Sequence, residues 1–254
     1  MSGELCRTCF RHYSGCFEVL QLTINLGIGY HRYLASKGDH HVELRCLWVG
    51  STRAVEEVTG KLEECVMANI ARLHRRALEE TRSVVAGIDR AQWADASPCD
   101  GWDVQALLNH LVSGNLWAAE LGSGRTIAEV GDRLDGDVLG DNALAAYDAS
   151  ARAAAATFEA PGALDAPCAV SYGPVPGSVY AGHRFVDVLI HGWDLATATG
   201  QDATLDPELV DAAYSLLQEQ ADMVRASGMF GDDILVPAGV EPQTQLLAFI
   251  GRKG

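Results

Sequence analysis

The stretch HRFVDVLIHGWDLATATG, residues 183–200, decides how this chain is read. It carries helical periodicity and closes at Gly200, a residue that commonly ends helices. Asp187 and His191 stand four residues apart, so a helix sets a carboxylate and an imidazole on one face, one turn apart. A second histidine-bearing segment, NHLV at 109–112, has the same periodicity. His110 on a neighbouring helix would complete a site of two histidines and one carboxylate inside a helical bundle. That is the donor set of a divalent metal with open coordination positions. Zinc, nickel, manganese and iron all accept imidazole nitrogen and carboxylate oxygen.

Plainer readings stand beside that one. Asp187 lies in the apolar run 185–190, where a lone carboxylate is costly unless paired or metal-bound. An ion pair with Arg184, three residues earlier on the same face, would satisfy it as well. His191 could equally be a core histidine bonded to a carbonyl. His183, eight residues before His191, could also face the site, but ranks below His110 because Asp187 and His191 already fill that part of the helix. Asp194 would either hold an imidazole N–H from behind or serve as a solvated or capping carboxylate. Trp102 and Trp193 read as core or pocket wall.

Composition bounds the function. The chain has 254 residues, 48% hydrophobic, enough for a packed core, and no apolar run long enough to span a membrane. A net charge of −15 disfavours nucleic acid and anionic membrane surfaces as partners. Residues 1–66 hold five of the seven cysteines, none of the eight prolines, and only two alanines, Ala35 and Ala54. Residues 67–254 carry 12 Lys and Arg against 26 Asp and Glu, with Lys253 their one lysine. Two compositions therefore meet near residue 66. The division expected is an N-terminal extension, 1–66, and a helical domain, 67–254, with Met67 as the authentic start and the extension as translated upstream sequence. A small N-terminal module is the alternative; Cys6, Cys9, His12 and Cys16 sketch a cramped zinc knuckle that matches no familiar spacing. The apolar stretch 17–28 follows Arg7 and Arg11 but lacks a small-residue cleavage site at a sensible distance. It is rejected as a signal peptide, and a cytoplasmic protein with Cys99 and Cys168 reduced is expected.

Within 67–254 the pattern gives an all-α fold. A helix over 68–86 places Ile70, Leu73, Ala77, Thr81, Val84 and Val85 at three- and four-residue steps. A second runs to about 121 with Asp100 as its cap and Trp102, Leu107, Leu108, Leu111, Val112 and Trp117 as its stripe. Residues 122–140, rich in Gly and Asp, read as a loop that could cover a site. Further helices are expected over 143–159, 179–199 and 207–226, the last capped by Asp206 with Pro207 in its first turn. Residues 169–177 should be extended or irregular, 234–237 a short strand and 244–250 a short helix. There is no Gly-x-Ser-x-Gly elbow, Walker loop or dinucleotide fingerprint. Cys99 sits ahead of a helix, but Asp100 beside it opposes thiolate formation, so a small buried filler is its reading.

Three segments in order, SPCDGWDVQALLNHLVSGN (97–115), HRFVDVLIHGWDLATATG (183–200) and VPAGVEPQTQLLAFIGR (236–252), resemble the metal-binding members of the DinB/YfiT-like superfamily related to mycothiol-dependent maleylpyruvate isomerase. The resemblance spans residues 67–254 and leaves 1–66 without a counterpart. It implies a DinB-like four-helix bundle with a short C-terminal extension, and a metal held by His110, Asp187 and His191, with zinc the expected ion. It also implies mycothiol as a cosubstrate whose thiol the metal activates, for transfer or cis–trans isomerisation. The isomerase adds a C-terminal domain that supplies an arginine; only about 25 residues follow the fifth helix here, so that specific activity is not implied. Arg184 could anchor a substrate carboxylate instead, beside its reading as an ion-pair partner. The partners expected are a small-molecule substrate and a thiol, with no nucleic acid and no membrane, and a homodimer is compatible with this. A metal-dependent hydrolase and a non-enzymatic metal- or ligand-binding protein are the alternatives.

Overall fold

The computed structural model describes residues 18–23, 30–37, 40–47 and 70–253, except 223, 224, 226–230, 232 and 238. The chain divides into two compact units, Met1–Lys61 and Leu62–Gly254. In the first, β1 (Glu18–Thr23), β2 (Tyr30–Lys37) and β3 (His40–Leu47) form an antiparallel sheet in the order β1-β2-β3. The sequence reading placed no element there. Its zinc-knuckle candidates, Cys6, Cys9, His12 and Cys16, lie outside the described residues.

The second unit is the all-α domain. Helix α1 spans residues 70–86 and buries Ile70, Leu73, Ala77, Leu78, Thr81 and Val85, the stripe that its three- and four-residue spacing demands. Helix α2, Val104–Gly122, buries Leu107, Leu108, Leu111 and Val112. Its cap is Asp103, not Asp100: the Asp103 side chain accepts from Ala106 N at 2.8 Å. The preceding segment is a separate tight turn, closed by Ser97 N→Trp102 O and Trp102 N→Cys99 O, both 3.0 Å. That turn delays the helix by three residues and leaves Trp102 outside it, 37% exposed.

Helix α3, Ile127–Val130, is one turn inside the segment expected to be a loop, started by a Thr126/Glu129 capping box. The rest of that segment is pinned to α2: Asn109 Nδ2 donates to Gly136 O and Asn109 Oδ1 accepts from Val138 N, both at 2.9 Å. Helix α4, Ala143–Phe158, is capped by Asn142. Strands β4 (Pro167–Val170) and β5 (Gly173–Pro176) make an antiparallel hairpin where extended chain was expected.

Helix α5, Gly177–Ala198, is the most buried element, as the apolar run 185–190 requires. Helices α1, α2, α4 and α5 form the bundle. Tyr147 of α4 donates to Leu78 O of α1 at 3.0 Å, and Thr81 of α1 donates to Val188 O of α5 at 3.1 Å. Helix α6, Pro207–Glu219, starts at the Asp206 cap but ends earlier than the sequence suggests, and α7 spans Pro242–Phe249. The strand expected over 234–237 does not form. Ile234 N bonds Ala248 O, but Leu235 is 98% exposed and no second strand faces this segment among the described residues.

Candidate metal centre

Arg184, Asp187, His191 and Asp194 recur at steps of three and four along α5, so they form one polar stripe on an otherwise apolar helix. His110 comes to that stripe from α2. The structure brings together His110, Asp187 and His191, with one donor atom of each lying within 4.8 Å of the others. His110 Nε2 is 3.2 Å and His191 Nε2 3.5 Å from Asp187 Oδ1. Two ligands at zinc bond lengths of roughly 2.0–2.1 Å in a tetrahedral shell stand about 3.3–3.4 Å apart, so these separations fit a divalent ion. The three side chains are 34%, 28% and 15% exposed, leaving one side open to an incoming group.

Two of the three ligand candidates, Asp187 and His191, are held from behind. Arg184 Nη1 donates to Asp187 Oδ2 at 2.7 Å and Nη2 to Asn115 Oδ1 at 3.2 Å, which leaves Oδ1 for the open side. Burial, the largest single effect, would raise the Asp187 carboxyl, but the Arg184 charge, the His191 charge and the His110 contact together outweigh it and hold the acid well below the ordinary range. Arg184 thus has the ion-pair role; its guanidinium lies against Asp187 and is buried. His191 Nδ1 lies 2.9 Å from Asp194 Oδ2, and because a carboxylate only accepts, Nδ1 carries the proton and Nε2 faces Asp187. Burial would lower the His191 pKa, yet Asp187, then Asp194 and Cys99, push it up to about 10. Without metal, a protonated His191 would add to Arg184 in compensating Asp187.

A second donor set overlaps the first: Cys99, His191 and Asp194 also converge. It already contains a cation. Arg252 Nε donates to Asp194 Oδ1 at 2.8 Å, and Arg252 Nη2 reaches Asp194 Oδ2 at 3.0 Å and Cys99 Sγ at 3.1 Å. The Cys99 thiol in turn lies 3.1 Å from Asp194 Oδ2. Arg252 engages both oxygens of Asp194, whereas Arg184 takes only Oδ2 of Asp187 and leaves Oδ1 free, and this favours the His110–Asp187–His191 set for a metal. Trp102 packs beside it, its ring 4.8 Å from that of His110, as exposed pocket wall. Trp193 is core. His183 turns away, bonded to Tyr172 Oη at 2.5 Å and Gln220 Oε1 at 3.1 Å. Sequence reasoning missed Arg252 and undervalued Cys99. Both join Asp194 through contacts 58 and 95 residues apart, which no local pattern encodes.

Residues 74–196 match the family described as mycothiol maleylpyruvate isomerase N-terminal domain. Two Mycobacterium tuberculosis proteins, uncharacterized protein MT0763 and uncharacterized protein Rv0738, are each 36% identical to the chain over 188 residues, covering 70% of it and 95% of themselves. Among solved structures, the mycothiol-dependent maleylpyruvate isomerase superposes with a TM-score of 0.47 at 17% identity, over 62% of this chain and 69% of that one. A mutant of the same isomerase gives 0.48 at 15% identity, over 66% and 73%. On the family match, joined to relatives aligned over nearly their whole length, the chain belongs to the mycothiol maleylpyruvate isomerase N-terminal domain family.

Proposed function

We propose that residues 67–254 form a divalent-metal enzyme, zinc the working ion, that uses a low-molecular-weight thiol such as mycothiol as transferase or isomerase. The observation that carries this reading is the convergence of His110, Asp187 and His191 from two helices, at separations that fit one small ion and with an open side. Family membership supports the thiol, since the family is described by mycothiol. When bound, the metal supplies Lewis-acid activation, lowering the pKa of a coordinated thiol so that it is a thiolate near neutral pH. The chain's own residues do the remaining work. Arg184 turns one Asp187 oxygen away from the open side, and Asp194 fixes the His191 ring. Trp102 gives the mouth an apolar wall, and Asn109 ties the segment around Gly136 and Val138 next to His110. Arg184, being held by Asp187 and Asn115, is not assigned to substrate.

Metal analysis of the purified protein, followed by cobalt substitution and addition of mycothiol, tests this. The expected result is one metal per chain and a new sulfur-to-cobalt band on adding thiol, with turnover of an electrophilic or unsaturated acid that requires both. Metal-dependent ester or amide cleavage indifferent to thiol would replace this reading with a hydrolase. Stoichiometric metal without a thiol response or any turnover would replace it with a binding protein.

A further inference from the structure

The last turn of the domain ends in a way that aims one side chain. After α7, Gly251 takes φ +75°, Gly251 N bonds Ala248 O at 3.1 Å and Arg252 N bonds Leu247 O at 2.8 Å. This paired closure needs a left-handed residue, which glycine supplies without strain. The Arg252 side chain, 15% exposed, then enters the niche behind His191 and grips both oxygens of Asp194, a residue with no exposed surface. A two-point guanidinium–carboxylate contact fixes the carboxylate's rotation as well as its charge. The same carboxylate receives His191 Nδ1–H, and the same guanidinium touches Cys99 Sγ.

We propose that Arg252 is a positioning residue of the metal centre, which fixes Asp194 so that His191 presents Nε2 to the ion and which closes the Cys99–His191–Asp194 set to cations. This rests on the metal reading of His110, Asp187 and His191. Without Arg252, Asp194 is free to turn and the Cys99 thiol stands beside a bare carboxylate and an imidazole, a set that accepts soft divalent ions. Loss of an outer contact of this kind weakens metal binding by about 10- to 100-fold.

Cobalt titration of the full chain, followed in the visible and near-ultraviolet, tests the proposal without turnover. The wild-type chain is expected to bind one cobalt with no sulfur band in the absence of added thiol. Arg252→Met is expected to bind about 10- to 100-fold more weakly and to gain a sulfur-to-cobalt band that disappears in the double variant with Cys99→Ser. Wild-type affinity in Arg252→Met overturns the proposal, as does weaker binding without the band, which is what a general loss of packing would give. If Arg252→Met does not fold, Arg252→Lys is read instead: it keeps the charge but loses the two-point contact, so weaker binding supports the role and unchanged binding overturns it. A wild-type chain that takes up no cobalt overturns the metal reading and this role together. Wild-type binding with an unchanged variant overturns the role of Arg252 alone.

Discussion

The two nitrogens of His191 face different chemistry, one a carboxylate braced by Arg252 and the other a carboxylate braced by Arg184. The ligand candidates are accordingly not equivalent on removal. His110→Ala and His191→Ala should lose metal while the bundle stays folded, because His110 lies at the open edge and, without His191, Asp187 keeps Arg184 and Asp194 keeps Arg252. Asp187→Ala should lose metal and also destabilise the fold by about 3 kcal/mol, since buried Arg184 then keeps an unpaired charge. Elemental analysis with urea denaturation checks this; Asp187→Ala as stable as His110→Ala would contradict it. His74 is a separate case. It has no exposed surface, its ring packs edge-on against Phe158 at 5.2 Å, and neither nitrogen has a partner among the described residues. Burial, with Arg184 and Arg75 adding, lowers its pKa from 6.5 to about 3. The unfolded chain therefore takes up this proton first, and stability falls as pH drops from 6.5 towards 3. His74→Leu should gain about 1–2 kcal/mol near neutrality, and the gain in urea midpoint should widen as pH is lowered. A gain that stays constant or shrinks on acidification would contradict this.

At the scale of elements, Gly192 lets the site helix approach α1. A Cβ there would stand 2.3 Å from Thr81 Oγ1 and 3.2 Å from Thr81 Cβ, and a β-branched side chain in a core has little room to yield. Gly192→Ala should therefore destabilise by about 1–3 kcal/mol, where a glycine inside a helix is ordinarily improved by alanine. Thermal unfolding followed by circular dichroism checks the sign, and a more stable variant would contradict it. The bundle helices α1, α2, α4 and α5 were legible in the sequence, because each buries a regular stripe, whereas the single turn α3 was not. Their ends were less so. Asp100 and Asp103 are both good caps, and only the turn closed at Trp102 decides between them. Ile234-Leu235-Val236 has strand composition but nothing to pair with among the described residues. The α5 stripe was legible from spacing, and His110 from its helical context. Arg252 was not, because its approach to Asp194 depends on how α7 docks, a tertiary fact that periodicity does not carry.

For the whole molecule, the change of composition near residue 66 falls close to the division between the two compact units at Lys61 and Leu62. We propose that the domain beginning at Met67 is self-sufficient. A chain starting there should keep its helical signal and thermal midpoint and bind metal as the full chain does; a large loss on truncation would show that residues 1–66 belong to the fold. The central claim is the place of the metal. Anomalous diffraction at the zinc edge, from crystals of the full chain grown with zinc, locates it directly. The expected result is one peak about 2.0–2.2 Å from His110 Nε2, Asp187 Oδ1 and His191 Nε2. A peak among Cys99, Asp194 and His191 Nδ1 instead, or no peak at either place, would contradict the account.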